Sequence, residues 1–166
     1  ANRYTEGTSE RIIGEFVHSN RDHYVLATKY TLHDNLTNVN ASGNNRKNMM
    51  RSVEESLKRL NTEFIDLLYL HIWDRLTPVE EVMRGLDDLV RQGKVNYIGI
   101  SDTPAWVISE AQTLAHFMGW SKFIALQMEY SLLQRTPERE LIPMALQHGL
   151  TITPWAPLAG GALTGK

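Results

Sequence analysis

The stretch IDLLYLHIWD, Ile65 to Asp74, decides the fold. Its first six residues are branched or aromatic apart from one aspartate, the composition of a short strand buried on both faces. Yet it delivers an imidazole at its end and a carboxylate just beyond. Taken alone, His71 reads equally well as a satisfied core histidine or as a working group at a strand end.

Working outward, four more stretches have the same character: YVLATKY (24–30), VNYIGIS (95–101), KFIALQMEY (122–130) and LTITPWA (150–156). Amphipathic helices separate them. Thr77-Pro78, Thr103-Pro104 and Thr136-Pro137 each set a capping hydroxyl before a proline suited to a first helical position. Glu80 completes a capping box with Thr77. The helix that follows carries Val79, Val82, Met83, Leu86, Leu89 and Val90 at helical spacing, and Gly93 stops it. Gly119 and Gly149 stop the next two, and Pro143 should kink the third. Met50, Val53, Leu57 and Leu60 form another stripe, and Ile12, Ile13, Phe16 and Val17 another. Alternating helices and strands demand a parallel sheet with right-handed crossovers.

Two parallel architectures compete. A doubly wound domain wants a glycine-rich turn after its first strand, and none is present. Polar residues instead end successive strands: Lys29, His71, Ser101 with Asp102, Gln127 and Trp155. Such a ring is how the catalytic face of a TIM (β/α)8 barrel is built. The expected fold is α/β, a partial TIM barrel of about five parallel strands alternating with helices. The long polar segment 31–45 follows the first strand, where such enzymes place function.

Composition narrows the chemistry. The chain has 166 residues, 42% hydrophobic and 22% charged, typical of a globular domain with a real core. A net charge of -2 gives no electrostatic case for nucleic acid or an anionic membrane. No cysteine is present, which excludes disulfides, thiolate metal sites and cysteine nucleophiles and fits a cytoplasmic location. No apolar run approaches a membrane span, and the first residues lack the order of a signal peptide. The histidines show no metal-site spacing. The acidic pairs Glu54-Glu55, Glu80-Glu81 and Asp87-Asp88 read as solvated helix faces.

Each polar strand end has an ordinary explanation. Lys29 could snorkel to the rim, Gln127 could satisfy a structural hydrogen bond, and Trp155 between prolines could simply pack. Together they would converge on one pocket if the barrel holds. An ammonium beside the phenol of Tyr4 favours the phenolate and makes the phenol a usable acid. A neutral histidine can hold a carbonyl oxygen. That set suits acid-assisted reduction of a carbonyl.

The motifs resemble those of the aldo-keto reductases over the whole chain, most of all the branch near the potassium-channel β subunits and bacterial aldo/keto reductases. ANRYTEGTSERIIGEF is similar to the segment holding the catalytic tyrosine, VLATKY to the strand ending in the catalytic lysine, and RSVEESLKRLNTEFIDLLYLH to a signature ending at the active-site histidine. The resemblance therefore implies Tyr4, Lys29 and His71 as catalytic residues. VNYIGISD and ALQMEYSLL imply Ser101, Asp102 and Gln127 as partners of a nicotinamide carboxamide. TPWAPLAGGALTGK implies Trp155 stacking on the nicotinamide, with Ala156, Pro157, Leu158, Ala159, Gly160 and Lys166 as further cofactor contacts. Asp102 stands where many members have asparagine, and Thr5 where many have glycine.

The resemblance implies NADPH-dependent reduction of a small aldehyde or ketone to an alcohol. It also implies that residues 1–166 form a single incomplete barrel domain, since the family's two first strands, its last strand and its catalytic aspartate have no counterpart. Open barrel edges would then favour self-association. Other readings keep the fold: a nicotinamide-binding regulatory subunit, an inactive barrel fragment, or a barrel in which Lys29 forms a Schiff base.

Overall fold

Four helices end in the same way. Helices α2 (Arg46–Leu60), α3 (Val79–Arg91), α4 (Ala105–Met118) and α5 (Leu141–Gln147) are followed by residues of positive φ: Asn61, Gly93, Gly119 and Gly149. The next N–H reaches back five residues in each case, Thr62 to Leu57, Lys94 to Leu89, Trp120 to Ala115 and Leu150 to Ala145. This closure satisfies open helix carbonyls and sends the chain straight into a strand. The strands so launched are β2 (Ile65–Leu70), β3 (Val95–Ser101), β4 (Phe123–Gln127) and β5 (Thr151–Ile152). Helix α1 (Thr8–Val17) reaches β1 (Ala27–Tyr30) through a 3-10 segment, His18–His23. The computed structural model describes residues 4–33 and 37–165.

The five strands form one parallel sheet in the order β1-β2-β3-β4-β5. A doubly wound sheet would reverse its order part-way. This one winds in a single direction and also curls. On its inner face the hydroxyl of Tyr69, on β2, lies 3.0 Å from Thr153 Oγ1, just past β5. Three strand spacings of a flat sheet span about 14 Å, farther than a tyrosine and a threonine reach toward one another. The ring crosses β3 at Gly99, where an added Cβ would stand 2.5 Å from it. Five parallel strands alternating with helices on a curled sheet form part of a TIM barrel.

The outer face carries the core. Leu68, Leu70, Ile98, Ile100 and Leu126 are almost fully buried under Val53, Leu57 and Leu60 of α2, Val82, Met83 and Leu86 of α3, and Ile108 and Ala111 of α4. Each such side chain is worth roughly 1.5–3 kcal/mol in transfer from water. No helix among the described residues is long and apolar enough to cross a membrane.

Several local expectations are corrected. Pro78 and Pro104 occupy the cap positions themselves, without a side-chain cap bond. The hydroxyl of Thr77 donates instead to Asp74 and that of Thr103 to the Ser101 carbonyl. The third Thr-Pro segment divides into a 3-10 turn, Thr136–Arg139, and α5. Pro143, in the first turn of α5, has no N–H for the Arg139 carbonyl and its ring crowds it. Met49 is buried and Met50 only partly so.

Helix α1 packs on a face that shares only Val17 with the expected stripe. Ile12 and Phe16 are 62% and 69% exposed, whereas Glu10, Gly14 and Val17 are buried at helical spacing. Gly14 lies so close to the Leu60 backbone that a Cβ would stand 2.6 Å from its carbonyl oxygen. That approach buries Glu10, which accepts hydrogen bonds from Thr28 Oγ1 and Arg59 Nε at 2.6 Å each. Asp87 is likewise no solvated residue. It is buried, accepting from Arg91 Nε at 2.5 Å and from the N–H and hydroxyl of Ser121.

Candidate active site

Parallel register aligns the strand ends. Lys29 pairs with Tyr69, Tyr69 with Gly99, and Ser101 with Gln127, so Lys29, His71, Ser101 and Gln127 all point to the inner face, with Lys29 one layer below the other three. Strand β5 is short, but its ladder continues past Ile152. The N–H groups of Thr153 and Trp155 donate to the Leu126 and Met128 carbonyls, and that of Tyr130 to the Trp155 carbonyl. This continuation brings Trp155 level with Glu129, two residues past Gln127.

Seven residues line one cavity of about 280 Å³: Tyr4, Lys29, His71, Ser101, Asp102, Gln127 and Trp155. They are the seven that the sequence assigned to proton transfer, carbonyl orientation, carboxamide contact and ring stacking. Lys29 Nζ donates to the Tyr4 hydroxyl at 3.2 Å and lies 5.2 Å from its ring centroid and 5.9 Å from that of Tyr69. The rings of Tyr4 and His71 are 6.1 Å apart. Tyr4 is 47% exposed and Trp155 40%, so both present ring surface to an incoming molecule. Ser101 is buried at the floor.

Asp102 stands at the exposed rim in a left-handed conformation, φ 38°, with its N–H donating to the Gln127 carbonyl at 3.4 Å. Its carboxyl turns inward to accept from Trp155 Nε1 at 3.5 Å. Loss of water at the cavity wall lifts its pKa above the usual carboxylate value. The indole N–H and the Lys29 charge oppose that rise, and the charge of Glu129 adds to it.

The segment after Trp155 does not line the cavity. Ala156, Ala159 and Gly160 have positive φ, and a 3-10 turn, Ala159–Gly161, follows Leu158. Pro157 and Leu158 are exposed. These residues form a tight loop beside the cavity, and Lys166 lies outside the described residues.

A flat heteroaromatic ring bearing an amide fits this chemistry. The Ser101 hydroxyl and the Gln127 amide can pair with a carboxamide, Trp155 offers an exposed π-face, and the Tyr4–Lys29 pair stands across the same space. No cluster suited to a metal ion occurs among the described residues.

The sequence profile of the Aldo/keto reductase family matches residues 1–166. The chain belongs to that family. An aryl-alcohol dehydrogenase [NADP(+)] of Phanerodontia chrysosporium is 42% identical over 98% of this chain and 45% of its own length. A norsolorinic acid reductase of Emericella nidulans is 46% identical over 97% of this chain and 43% of its own. A putative aryl-alcohol dehydrogenase of Saccharomyces cerevisiae is 42% identical over the whole chain and 46% of its own. The chain spans about half the length of the curated relatives it matches.

Around this aldo/keto reductase cavity stand supports that strand patterns did not reveal. Buried Asn44 and half-buried Asp74 pair reciprocally: Asn44 N–H donates to Asp74 Oδ2, and Asp74 N–H to Asn44 Oδ1, each at 2.7 Å. Asp74 also accepts from the N–H groups of Leu76 and Thr77 and the Thr77 hydroxyl. Asn44 Nδ2 donates to the Ile72 carbonyl and to Thr31 Oγ1. The pair fastens the loop after β1 to the loop after β2, next to His71. Asp74, three residues past His71, was the signal available in the sequence.

Proposed function

We propose that this chain forms the central part of an NADP(H)-dependent reductase that converts an aldehyde or ketone to an alcohol. The observation that carries the reading is the 3.2 Å Lys29–Tyr4 hydrogen bond in the same cavity as Ser101, Gln127 and Trp155. The names of the relatives, an NADP(+) aryl-alcohol dehydrogenase and norsolorinic acid reductases, support an aromatic carbonyl compound as substrate. Residues 1–166 are then one incomplete barrel domain of a cytoplasmic enzyme.

In this mechanism Ser101, Asp102 and Gln127 hold the nicotinamide carboxamide and Trp155 stacks on the ring. Ala156, Pro157, Leu158, Ala159, Gly160 and Lys166 carry the remaining cofactor contacts along the backbone. The bound cofactor supplies hydride to the carbonyl carbon. His71 orients the carbonyl oxygen by hydrogen bonding. Tyr4 passes its hydroxyl proton to that oxygen as negative charge develops, and the Lys29 ammonium stabilises the phenolate left behind.

The test is consumption of NADPH with an aromatic aldehyde by the protein at full length. Tyr4→Phe should lose at least about 10²-fold in kcat while NADPH affinity stays within a factor of two or so, because a phenyl ring keeps the packing. Retained turnover in that variant would remove Tyr4 from the mechanism.

The edges of the sheet carry a second expectation. Strand β1 pairs with β2 alone and β5 with β4 alone in the described sheet, leaving backbone groups open to another strand. The isolated 166-residue polypeptide should therefore sediment above monomer mass. A folded, dilute monomer would contradict this.

A further inference from the structure

Asp102 is the one carboxylate among the described residues lining the cavity. Its left-handed backbone is one that aspartate and asparagine adopt with least strain, and either can accept the Trp155 indole N–H. Geometry alone would thus be served by asparagine. What aspartate adds is a negative charge and the inability to donate a hydrogen bond. The titratable and charged groups around it are Tyr4, Lys29 of β1, His71 after β2, Glu129 beyond β4, and Arg139 and Glu140 near the start of α5, the last three sharing a second cavity with Asp102.

The oxidised nicotinamide ring is cationic and the reduced ring neutral, although the two are nearly the same in size and polar edge. Packing and hydrogen bonds to them almost cancel in a comparison, and a nearby charge does not. We infer that Asp102 is a specificity-determining residue that tightens the site for NADP+ relative to NADPH. This rests on the proposed cofactor reading.

The consequence for catalysis has a definite sign. As hydride leaves the ring with its electron pair for the carbonyl carbon, and Tyr4 gives its proton to the oxygen, the ring becomes positive. A carboxylate at the rim stabilises that change and so favours hydride departure. It also retains the oxidised cofactor afterward, slowing its release.

Calorimetric titration of the full-length protein with NADP+ and with NADPH, as separate experiments, tests the inference. Asp102→Asn keeps the backbone conformation and the acceptor for Trp155 while removing the charge. The ratio Kd(NADP+)/Kd(NADPH) should rise roughly three- to tenfold in this variant, mostly through weaker NADP+ binding. In the wild type the ratio should climb toward the variant's as pH falls through the ionisation of Asp102, and the variant should lack that transition. The cofactor phosphates cancel in the ratio, and Lys29 and His71 are present in both proteins. If both forms bind and the ratio is unchanged by Asp102→Asn, the inference falls and the cofactor reading stands. If the wild type binds neither form, both fall.

Discussion

The two faces of this one sheet are built to different standards. On the outer face Leu68, Leu70, Ile98, Ile100 and Leu126 are sealed under helices. The inner face, on the same strands and one residue out of phase, carries Lys29, Tyr69, Ser101 and Gln127, and leaves Tyr97 58% exposed. Alternation lets a single strand serve both ends: Leu70 anchors β2 and the next residue, His71, enters the cavity. Stability and chemistry are thereby separated by one step along the chain, and substitutions on either side should separate in the same way.

The largest effect should come from the inner face. Lys29→Met keeps the length of the side chain and removes its charge, and should lower kcat about 10²-fold or more with the melting temperature nearly unmoved. A matched loss of stability would show that the inner face also holds the fold. On the outer face, Ile98→Ala should cost about 3 kcal/mol in denaturant unfolding while the folded fraction keeps its kcat. A loss of kcat in fully folded protein would break the separation.

Asp74 sharpens the comparison because it lies between the two faces, fastening loops beside His71. Burial raises its pKa, but the N–H groups of Asn44, Thr77 and Leu76 and the Thr77 hydroxyl outweigh burial and hold it below the usual value. A carboxyl depressed in the folded state stabilises the fold above its unfolded pKa, and that contribution is lost as pH falls through the folded value. Asp74→Asn should cost about 2 kcal/mol at neutral pH. The gap to wild type should close below about pH 4. A gap independent of pH would mean that the loops are held without the charge.

Much of this was legible in the sequence for a physical reason. Strand ends at Lys29, His71, Ser101 and Gln127 follow from alternation and parallel register, which are periodic and local. Helix stops at Gly93, Gly119 and Gly149 are local too. What did not show were contacts set by tertiary approach. Ile12, Ile13, Phe16 and Val17 mark an apolar stripe on α1, yet of these only Val17 is buried, and the helix packs through Glu10 and Gly14 beside it because glycine allows contact with the Leu60 backbone. Asp87 reads as a surface acid until Ser121 arrives from the turn before β4. The caps at Thr77 and Thr103 failed because their hydroxyls found nearer partners in Asp74 and the Ser101 carbonyl. The Asn44–Asp74 pair joins residues 30 positions apart, and no periodicity announces it.

The central claim is that the cavity at these strand ends passes hydride from a nicotinamide to a carbonyl carbon. The most direct measurement uses the full-length protein, NADPH bearing deuterium at the transferable C4 position, and an aromatic aldehyde, with mass spectrometry of the alcohol. The account predicts one deuterium on the carbinol carbon with the wild type and almost no alcohol with Tyr4→Phe. Unlabelled alcohol, or labelled alcohol formed equally well by Tyr4→Phe, would contradict it.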